Sequence, residues 1–284
     1  MKEKDFAAML SVLAATGLTF MKIVVGLLTG SLGIISEALH SMLDMLAAGM
    51  TCFAVKMSDK PADKEHNFGH GKIENLSALI EAILLIATSG WVTYEATLRL
   101  LYHKTVFSLS IWAFVVVVIS IVVDFFRARH LTKTAKKYNS QALEADALHF
   151  STDILSSSVV LIGLIASYFG YHFADSIAAL GVSIIVAIIS IRLAYRAINA
   201  LLDAAPTGIV EQIDTILQSS EGVIRWHDLR VRSNGCEYEI DVNIHVNSNL
   251  SIVEAHNISE HLENKIRTQL GHGTISVHIE PEEE

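Results

Sequence analysis

The chain has 284 residues, of which 51% are hydrophobic, and its mean hydropathy is +0.44. Soluble proteins usually contain about 45–50% apolar residues even with glycine counted, so this composition indicates a membrane protein. The net charge of −9 lies entirely in the tail, because residues 1–206 carry 16 basic and 16 acidic residues, whereas residues 207–284 carry 5 and 14. An acidic, histidine-rich tail argues against nucleic-acid binding, which needs a basic surface, and favours a cation-binding module.

Six apolar segments are long enough to cross a bilayer, whose hydrocarbon core of about 30 Å needs about 20 helical residues. All three prolines fall outside these segments, which fits helices with the uninterrupted backbone hydrogen bonds that lipid demands. The sequence therefore predicts an all-α membrane domain over residues 1–206. The six segments are residues 7–28, 33–56, 74–101, 108–128, 142–168 and 174–201.

Basic residues are concentrated in alternate connections, and this bias predicts the orientation of the chain. The N-terminus, the second loop (56–72) and the fourth loop (127–137) carry most of the lysines and arginines, whereas the first and fifth loops carry none. Basic loops stay on the cytoplasmic side. With an even number of spans, we expect both termini in the cytoplasm and the protein in the cell inner membrane.

After Pro206 the hydrophobic period changes, and residues 207–284 predict a small cytoplasmic α+β domain of ferredoxin-like, metallochaperone-like type. Ser251 followed by Glu254 is typical of a helix cap. The order αββαβ indicates helices on one face of a sheet. A domain of 78 residues is near the lower limit for an independent core, and dimerisation or metal binding would help to stabilise it. The predicted elements are a helix at 208–219, strands at 223–232 and 237–246, a hairpin turn at 233–235, a helix at 252–269 and a strand at 274–279.

One short pattern, acid-Ala-Leu-His-x-x-x-Asp, occurs twice, beginning at Glu37 and at Asp146. Residues four apart on a helix point the same way, so each copy offers an imidazole and a carboxylate from an otherwise apolar helix. Two such helices facing each other supply two nitrogens and two oxygens, a tetrahedral set suited to zinc. The predicted membrane site comprises His40, Asp44, His149 and Asp153.

The acids that begin the two motifs have two open interpretations. Glu37 and Asp146 could line an entry path, or they could stabilise helix N-termini, where acidic residues are favoured. Five further charged residues fall within the spans, and either packing between polar helix faces or a position nearer the membrane interface accounts for them better than a ligand role. They are Lys22, Glu81, Glu95, Asp124 and Asp175.

The second loop contains three residues with ligand-like spacing, Asp63, His66 and His70. Gly69 and Gly71 allow the chain to fold around an ion. Three ligands leave a position open, so the loop predicts a second, wetter metal site, with an ordinary polar loop as the alternative.

The tail offers histidines but no cysteine pair, because no C-x-x-C pattern occurs and thiolate zinc sites are not expected. His278 and Glu280 are two apart on the last predicted strand, so they share one face. The other candidate ligands are spread over the tail, and their convergence does not follow from the sequence. These candidates are His227, His245 and His256.

Together these motifs resemble the cation diffusion facilitator family of zinc transporters. The resemblance covers almost the whole chain: six spans, the His-x-x-x-Asp pair in spans two and five, the Asp-x-x-His-x-x-x-His-Gly-Lys loop that begins at Asp63, and the αββαβ tail. It implies a homodimer that exchanges cytoplasmic divalent metal for protons. It also implies that Zn²⁺ is both the substrate and a structural or regulatory ion.

The resemblance implies roles for single residues. In relatives the membrane set binds the transported ion, the loop set binds a second ion, and the tail set forms a binuclear site. Relatives also form a charge interlock between span three and the end of span six, at the positions of Lys72 and Asp203. The implied metal ligands are His40, Asp44, His149 and Asp153 in the membrane, Asp63, His66 and His70 in the loop, and His227, His245, His256, His278 and Glu280 in the tail.

Two positions depart from the family pattern. Some bacterial relatives have Asp where this chain has His40, and a second imidazole should favour zinc and cadmium over iron or manganese. The tail position usually held by Asp is Glu280 here, and its longer side chain leaves its role as a bridge between two metal ions open.

The ligand set itself predicts proton exchange. Metal binds neutral imidazole and ionised carboxylate, so metal binding expels protons. With histidine near its reference pKa of about 6.5, a difference of one pH unit across the membrane can tip that balance. The sequence therefore predicts a secondary transporter, not an enzyme, that exports Zn²⁺, and Cd²⁺ or other divalent cations as further candidates, in exchange for protons.

Two other classes of function are weighed against transport. An intramembrane metalloenzyme would keep one zinc position for water, but the predicted four-ligand site is closed and no His-Glu-x-x-His occurs. A metal sensor or scaffold would bind zinc in the tail and dimerise without moving the ion.

Overall fold

The computed structural model describes residues 3–30, 32–102, 111–168, 174–271 and 273–282. Residues 103–110 of the third loop, residues 169–173 of the fifth loop and Ser31 of the first loop lie outside these ranges. The predicted orientation of the chain depends in part on these loops. The chain divides into two compact units, the first comprising Met1–Lys60 with Ile73–Ala197 and the second comprising Pro61–Lys72 with Ile198–Glu284. The second loop and the end of the last long helix therefore group with the tail, although the sequence places the boundary at residue 206.

The first unit consists of long helices, which confirms the predicted helical membrane domain. Four of them meet the length and hydropathy requirements for a membrane span over their described residues: Glu3–Thr29, Glu37–Ser58, Ile73–Leu98 and Ser176–Leu201. The described parts of the other two do not meet them; α4 contains Asp124, Arg127 and Arg129 close together, and the described start of α5 contains Glu144, Asp146 and Asp153. The six helices are α1 (Glu3–Thr29), α2 (Leu32–Ser58), α3 (Ile73–Tyr102), α4 (Ile111–Tyr138), α5 (Gln141–Tyr168) and α6 (Ala174–Leu201).

Small residues let these helices approach one another closely. Ala8, Ala48 and Ala147 pack with Phe150 and Leu131 in a core shared by α1, α2, α4 and α5. A second cluster joins α3, α5 and α6 through alanines and one leucine. Helices in lipid associate mainly by close packing and interhelical hydrogen bonds, so small side chains at these contacts are expected.

The second unit has the predicted αββαβ order. The sheet order is β1-β2-β3, with β1 antiparallel and β3 parallel to β2. The parallel pair needs a crossover, and the helix between β2 and β3 supplies it. The elements are α7 (Ile209–Gln218), β1 (Arg225–Asn234), β2 (Glu237–Asn247), α8 (Ile252–Leu270) and β3 (Gly273–Glu282).

Both helices of this unit pack on one face of the sheet. Ile213 and Leu217 of α7, Ile244 of β2, and Leu262 and Ile266 of α8 are fully buried in one core. The predicted cap is confirmed, because the Ser251 side chain accepts a hydrogen bond from the Glu254 backbone N–H and the Glu254 side chain caps the Ser251 N–H in return. Side chains alternate along a strand, so the odd-numbered residues of β2 lie on the opposite face from this core.

The second loop packs against the hairpin between β1 and β2. The Asn234 side-chain amide donates a hydrogen bond to the carbonyl of Phe68, and the Arg232 guanidinium lies 4.5 Å above the Phe68 ring. At Gly71 the two backbones approach so closely that an added Cβ would lie 2.4 Å from the Asn234 carbonyl oxygen. This close contact explains why the loop groups with the tail rather than with the helices.

Replacing Gly71 with alanine is expected to separate the loop from the hairpin, because the new Cβ would overlap the Asn234 carbonyl. Overpacking of this kind typically costs about 1–3 kcal/mol. Amide hydrogen exchange over residues 63–72 should become faster. Gly49→Ala is the matched control, since nothing lies within 4 Å of a Cβ added there. Equal exchange in wild type and Gly71→Ala would contradict the packing described.

Candidate metal centres

The first candidate centre lies in the helical unit and unites the two copies of the motif. The His149 Nε2 lies 3.1 Å from Asp44 Oδ1 and 3.7 Å from Asp153 Oδ2. The His40 Nε2 lies 3.8 Å from Asp44 Oδ1 and 3.9 Å from Asp153 Oδ1. Asp44, His149 and Asp153 offer ligand atoms that all lie close to one another, and His40 stands at the edge of this set. Tetrahedral zinc with bonds of about 2.0–2.2 Å separates its ligand atoms by about 3.3–3.6 Å, so His40 would have to move inward to complete a four-ligand site.

Helical spacing and burial both position these ligands. Each histidine is four residues before its aspartate, so α2 and α5 each present one pair to the other. The side chains of Asp44 and His149 are 12% and 10% exposed, whereas that of His40 is 49% exposed. The set lines an open cavity of about 370 Å³ to which all six helices contribute side chains. His40 is therefore more exposed than Asp44 and His149, and it borders the cavity.

Neither of the acids that begin the motifs caps a helix, because each is the sixth residue of its helix. Glu37 lines the same cavity and pairs with the buried ammonium of Lys22 at 3.2 Å. Lys22 also donates to the Ser41 hydroxyl at 2.7 Å. Asp146 is fully buried and accepts a hydrogen bond of 2.8 Å from Ser11. The cavity position of Glu37 fits the path interpretation, and Asp146 is a packing residue of the bundle.

The sequence interpretation did not anticipate two buried charges of the bundle. Arg127 belongs to α4 rather than to a loop, and its guanidinium lies 3.3 Å above the Phe150 ring centroid and 3.3 Å from Asp124. The Lys4 ammonium lies 2.9 Å from the fully buried Glu74 carboxylate. Asp124 and Arg127 are three residues apart, a spacing that places both on one helix face. This spacing was the sequence pattern that could have indicated the burial of Arg127 beside an acid.

The second candidate centre brings together the three predicted residues of the loop. Asp63 lies 3.3 Å from the His66 Nδ1 and 3.4 Å from the His70 Nε2. The backbone N–H groups of His66 and Glu65 donate to the same carboxylate oxygen of Asp63. The hydrogen bond from the His66 backbone is the main cause that lowers the pKa of Asp63. The turn thus places one carboxylate between two imidazoles, so these three residues are the ones in the loop that could hold a metal ion.

The third candidate centre lies on the sheet face opposite the tail core. His227 and His245 each approach Glu280 Oε2 through Nε2, at 3.2 and 3.3 Å. The His278 Nε2 lies 3.7 Å from the other oxygen, Oε1. β2 pairs with β3 so that His245 stands opposite Glu280, which explains how residues far apart in sequence meet.

Glu280 therefore has the geometry of a bridge, since its two oxygens face different histidines. The hydrogen bond to Glu280 is the main cause that raises the pKa of His227. Carboxylates also flank the Nδ1 atoms, with Asp228 3.3 Å from His227 and Glu282 3.1 Å from His245. Such outer carboxylates orient histidine ligands in metal sites, and the sequence interpretation did not identify them.

Among the described tail residues, His256 is the predicted ligand that neither joins the cluster nor forms an ion pair with Glu280 as His278 does. It is exposed on α8, and the tail residues described within ligand distance of one another are His227, His245 and Glu280. Its assignment as a ligand stays a prediction.

The predicted charge interlock is present in the second unit. The Lys72 ammonium lies 2.7 Å from Asp203, and Arg232 of β1 contacts the other carboxylate oxygen of Asp203 at 3.3 Å. The hydrogen bond from Lys72 is the main cause that lowers the pKa of Asp203. Asp203 adopts a positive φ of 60° where the chain leaves α6, so the interlock holds an unusual backbone turn in place.

Comparison with known proteins places both parts of the chain. The family model described as the cation efflux transmembrane domain matches residues 8–202, and the model described as the cation efflux protein cytoplasmic domain matches residues 205–282. The magnetosome protein MamB of Magnetospira sp. (strain QH-2) is 34% identical over 93% of this chain and 89% of its own length. The cation-efflux pumps FieF of Cronobacter sakazakii and Salmonella schwarzengrund are each 32% identical over 97% of this chain and 92% of theirs.

Proposed function

The chain belongs to the cation efflux family, as a multi-pass membrane protein with a cytoplasmic α+β domain, and on this premise we propose that it exports Zn²⁺ in exchange for protons. The observation that carries the proposal is the convergence of two imidazoles and two carboxylates in the helical unit. Imidazole nitrogen suits zinc and cadmium better than it suits manganese or iron, so the proposed substrates are Zn²⁺ and Cd²⁺.

Proton exchange follows from the same ligands. A metal ion binds imidazole in its neutral form and carboxylate in its ionised form, so each binding event releases the protons that those groups held. His40 borders the cavity and shares both aspartates with His149, so protons and metal compete for one set of atoms. A more acidic medium on the far side would favour protons and release the ion.

Transport also needs two conformations, with the centre facing one side of the membrane at a time. Rocking of helices around a fixed midplane site is the usual solution in secondary transporters. We propose that both termini and the tail lie in the cytoplasm, that the membrane is the cell inner membrane, and that residues 1–206 move the ion while residues 207–284 respond to it. The basic residues of the second loop and of the end of α4 support this orientation.

We propose that the loop and tail centres bind zinc as a regulatory ion and that the protein works as a homodimer. The tail core is small, so metal or a second copy would stabilise it. Zinc held by His227, His245 and Glu280, with His278 on the second oxygen, would be available to bias the equilibrium between conformations.

The function is tested by reconstituting the full chain in proteoliposomes and imposing a pH gradient. We expect Zn²⁺ and Cd²⁺ to move against the proton flux and a protonophore to stop them, with slower movement of Fe²⁺ and Mn²⁺. A sensor or scaffold would bind zinc without moving it, and an intramembrane metalloenzyme would show hydrolytic turnover instead of flux. Either result would refute the transport proposal.

Replacing Glu280 with glutamine is expected to weaken zinc binding in the tail, because the carboxylate that two histidines share loses its charge. Loss of even an outer partner of a metal ligand typically costs about 10–100-fold in metal affinity, so loss of a ligand's charge should cost at least as much. Competitive zinc titration of the purified full-length protein measures the change. Glu263→Gln on α8 is the matched control, since this residue contacts only Arg267 among the ion pairs described. Equal titrations for both variants would show that Glu280 is not a ligand.

A further inference from the structure

A buried ionic network joins four helices at the end of the helical unit where α1 begins. The Lys4 ammonium of α1 lies 2.9 Å from Glu74 Oε1 of α3 and 2.9 Å from Asp59 Oδ1, just after α2. Ser58, the last residue of α2, donates to the same Glu74 oxygen at 2.9 Å, and Ser140, just before α5, donates to the other one. Glu74 is fully buried and Lys4 nearly so, which makes this carboxylate the common partner of α1, α2 and α5.

The network crosses between two groups of helices that have separate cores. α1, α2, α4 and α5 share the cluster that contains Phe150, whereas α3 and α6 pack with α5 around Leu193. Glu74 belongs to α3, and its partners Lys4 and Ser58 belong to helices of the other core. A buried ion pair adds little stability over apolar packing, and its best-attested use is to specify one arrangement among several. The network is therefore suited to holding α3 in one position against α1 and α2.

The network and the cavity of the membrane centre lie towards opposite ends of the helices. On α3 the cavity begins at Leu85, eleven residues after Glu74, which corresponds to about 16–17 Å along a helix. On α5 the cavity is lined from His149 to Ser157, again well after Ser140. The helix segments between the network and the cavity carry closely packed side chains, so the described residues close the network end of the bundle. These buried residues are Ala7 and Ala8 of α1, Val55 of α2, Ser77, Ala78 and Ala82 of α3, and Leu143 of α5.

We propose that this network is a latch on the route of the metal ion. When intact, it keeps the end of the bundle at which α1 begins closed. Its release lets α3 separate there from α1, α2 and α5 and opens the membrane centre to that side. The role in transport rests on the proposed function, since an exporter must open its centre to each side in turn. Packed helices switch between discrete arrangements, so weakening the latch should shift the populations of both ends together.

Two cysteine reporters in the purified full-length protein test the latch. Ser77→Cys lies on α3 three residues after Glu74, and the exchange is nearly isosteric at a buried hydroxyl that has no hydrogen-bond partner among the described residues. Ser157→Cys reports on the cavity. The rate of labelling by a water-soluble maleimide is measured without metal. Mass spectrometry of the peptides distinguishes each reporter from the native Cys52 and Cys236.

We expect Glu74→Gln to increase the labelling rate of Ser77→Cys by about tenfold or more, because a buried charge pair loses one partner and a hydrogen bond to a charged group is lost. The labelling rate of Ser157→Cys should stay equal or fall, because the two ends open alternately. An unchanged rate at Ser77→Cys would overturn the proposal. A rise at both reporters would show general loosening of the bundle and would overturn it as well.

Glu3→Gln is the matched control for Glu74→Gln. Glu3 also pairs with a lysine at this end of the bundle, but its partners Lys137 and Tyr138 lie on α4, which shares a core with α1. Both labelling rates should therefore stay at their wild-type values in Glu3→Gln. A tenfold rise at Ser77→Cys in this variant would assign the effect to any lost charge at this end and would contradict a specific latch.

Ser58→Ala provides a second test if Glu74→Gln does not fold, because it removes one donor and leaves the ion pair in place. Loss of one hydrogen bond should raise the labelling rate of Ser77→Cys by about 2–10-fold, again without a rise at Ser157→Cys. An unchanged rate would also overturn the proposal. Labelling needs no metal flux, so failure of the proposed transport function would appear separately in the proteoliposome assay.

Discussion

Replacing Asp153 with alanine is expected to reduce proton-coupled zinc transport by roughly 100-fold or more, because a metal ligand has larger effects than the outer residues that orient it. Asp153 lies 3.9 Å from the His40 imidazole and 3.7 Å from that of His149. Its loss therefore removes an oxygen ligand together with a negative charge that lies close to both histidines. His40→Ala should fail in the same assay. Zinc-driven proton flux in proteoliposomes measures both.

Ser157→Ala is the matched control for Asp153→Ala. Ser157 lies one helical turn later on α5 and lines the same cavity, but it offers no charge to a metal ion. We expect its flux to stay close to that of wild type. If Asp153→Ala kept its flux, or if Ser157→Ala lost as much, the four-residue centre would not be the transport site.

Replacing His40 with aspartate is expected to shift metal preference away from zinc. The centre would change from two nitrogens and two oxygens to one nitrogen and three oxygens, and harder oxygen ligands suit manganese and iron better. His40 is the most exposed of the four ligands, so the smaller side chain can be accommodated without opening a hole in the core. The ratio of zinc to manganese transport should fall by at least about tenfold, because even outer partners of metal ligands change metal affinity by about 10–100-fold.

The matched control makes the same exchange outside the membrane, at His66 of the loop. This residue is 55% exposed and belongs to a centre that does not carry the transported ion in this account. His66→Asp should leave the ratio of zinc to manganese transport unchanged. An unchanged ratio in His40→Asp would show that selectivity is determined elsewhere, whereas a changed ratio in His66→Asp would assign selectivity to the loop.

The membrane centre could be predicted because its information is local. A histidine four residues before an aspartate defines a pair on one helix face, and the repeat of that pattern on a second apolar helix defines the partner. The αββαβ order could also be predicted, since alternation, the 233–235 turn and the Ser251 cap each follow from a few neighbouring residues.

Long-range register could not be predicted in the same way. The meeting of His227, His245 and Glu280 depends on which residue of β3 stands opposite which residue of β2. The two-sided geometry of Glu280 depends on this register. The exposure of His256 on α8 and the contact of Gly71 with Asn234 depend instead on how a helix and a loop pack against the sheet. Side-chain spacing within one element carries no information about it.

The burial of Glu81 was also beyond the sequence pattern. An acid in an apolar span indicates function in general, but only the packing of α2 and α3 shows that this side chain is fully buried and accepts a hydrogen bond from Thr51. The same holds for Arg127, whose position next to a run of basic residues made it resemble part of a loop.

The most direct test of the central claim is anomalous scattering at the zinc edge from crystals of the zinc-loaded protein. We expect a peak between α2 and α5, at about 2.0–2.2 Å from one atom each of His40, Asp44, His149 and Asp153. The same peak should be missing from crystals of Asp153→Ala, while the peak at Glu280 remains. A zinc peak in the loop and tail of the wild-type protein with none between α2 and α5 would contradict the account.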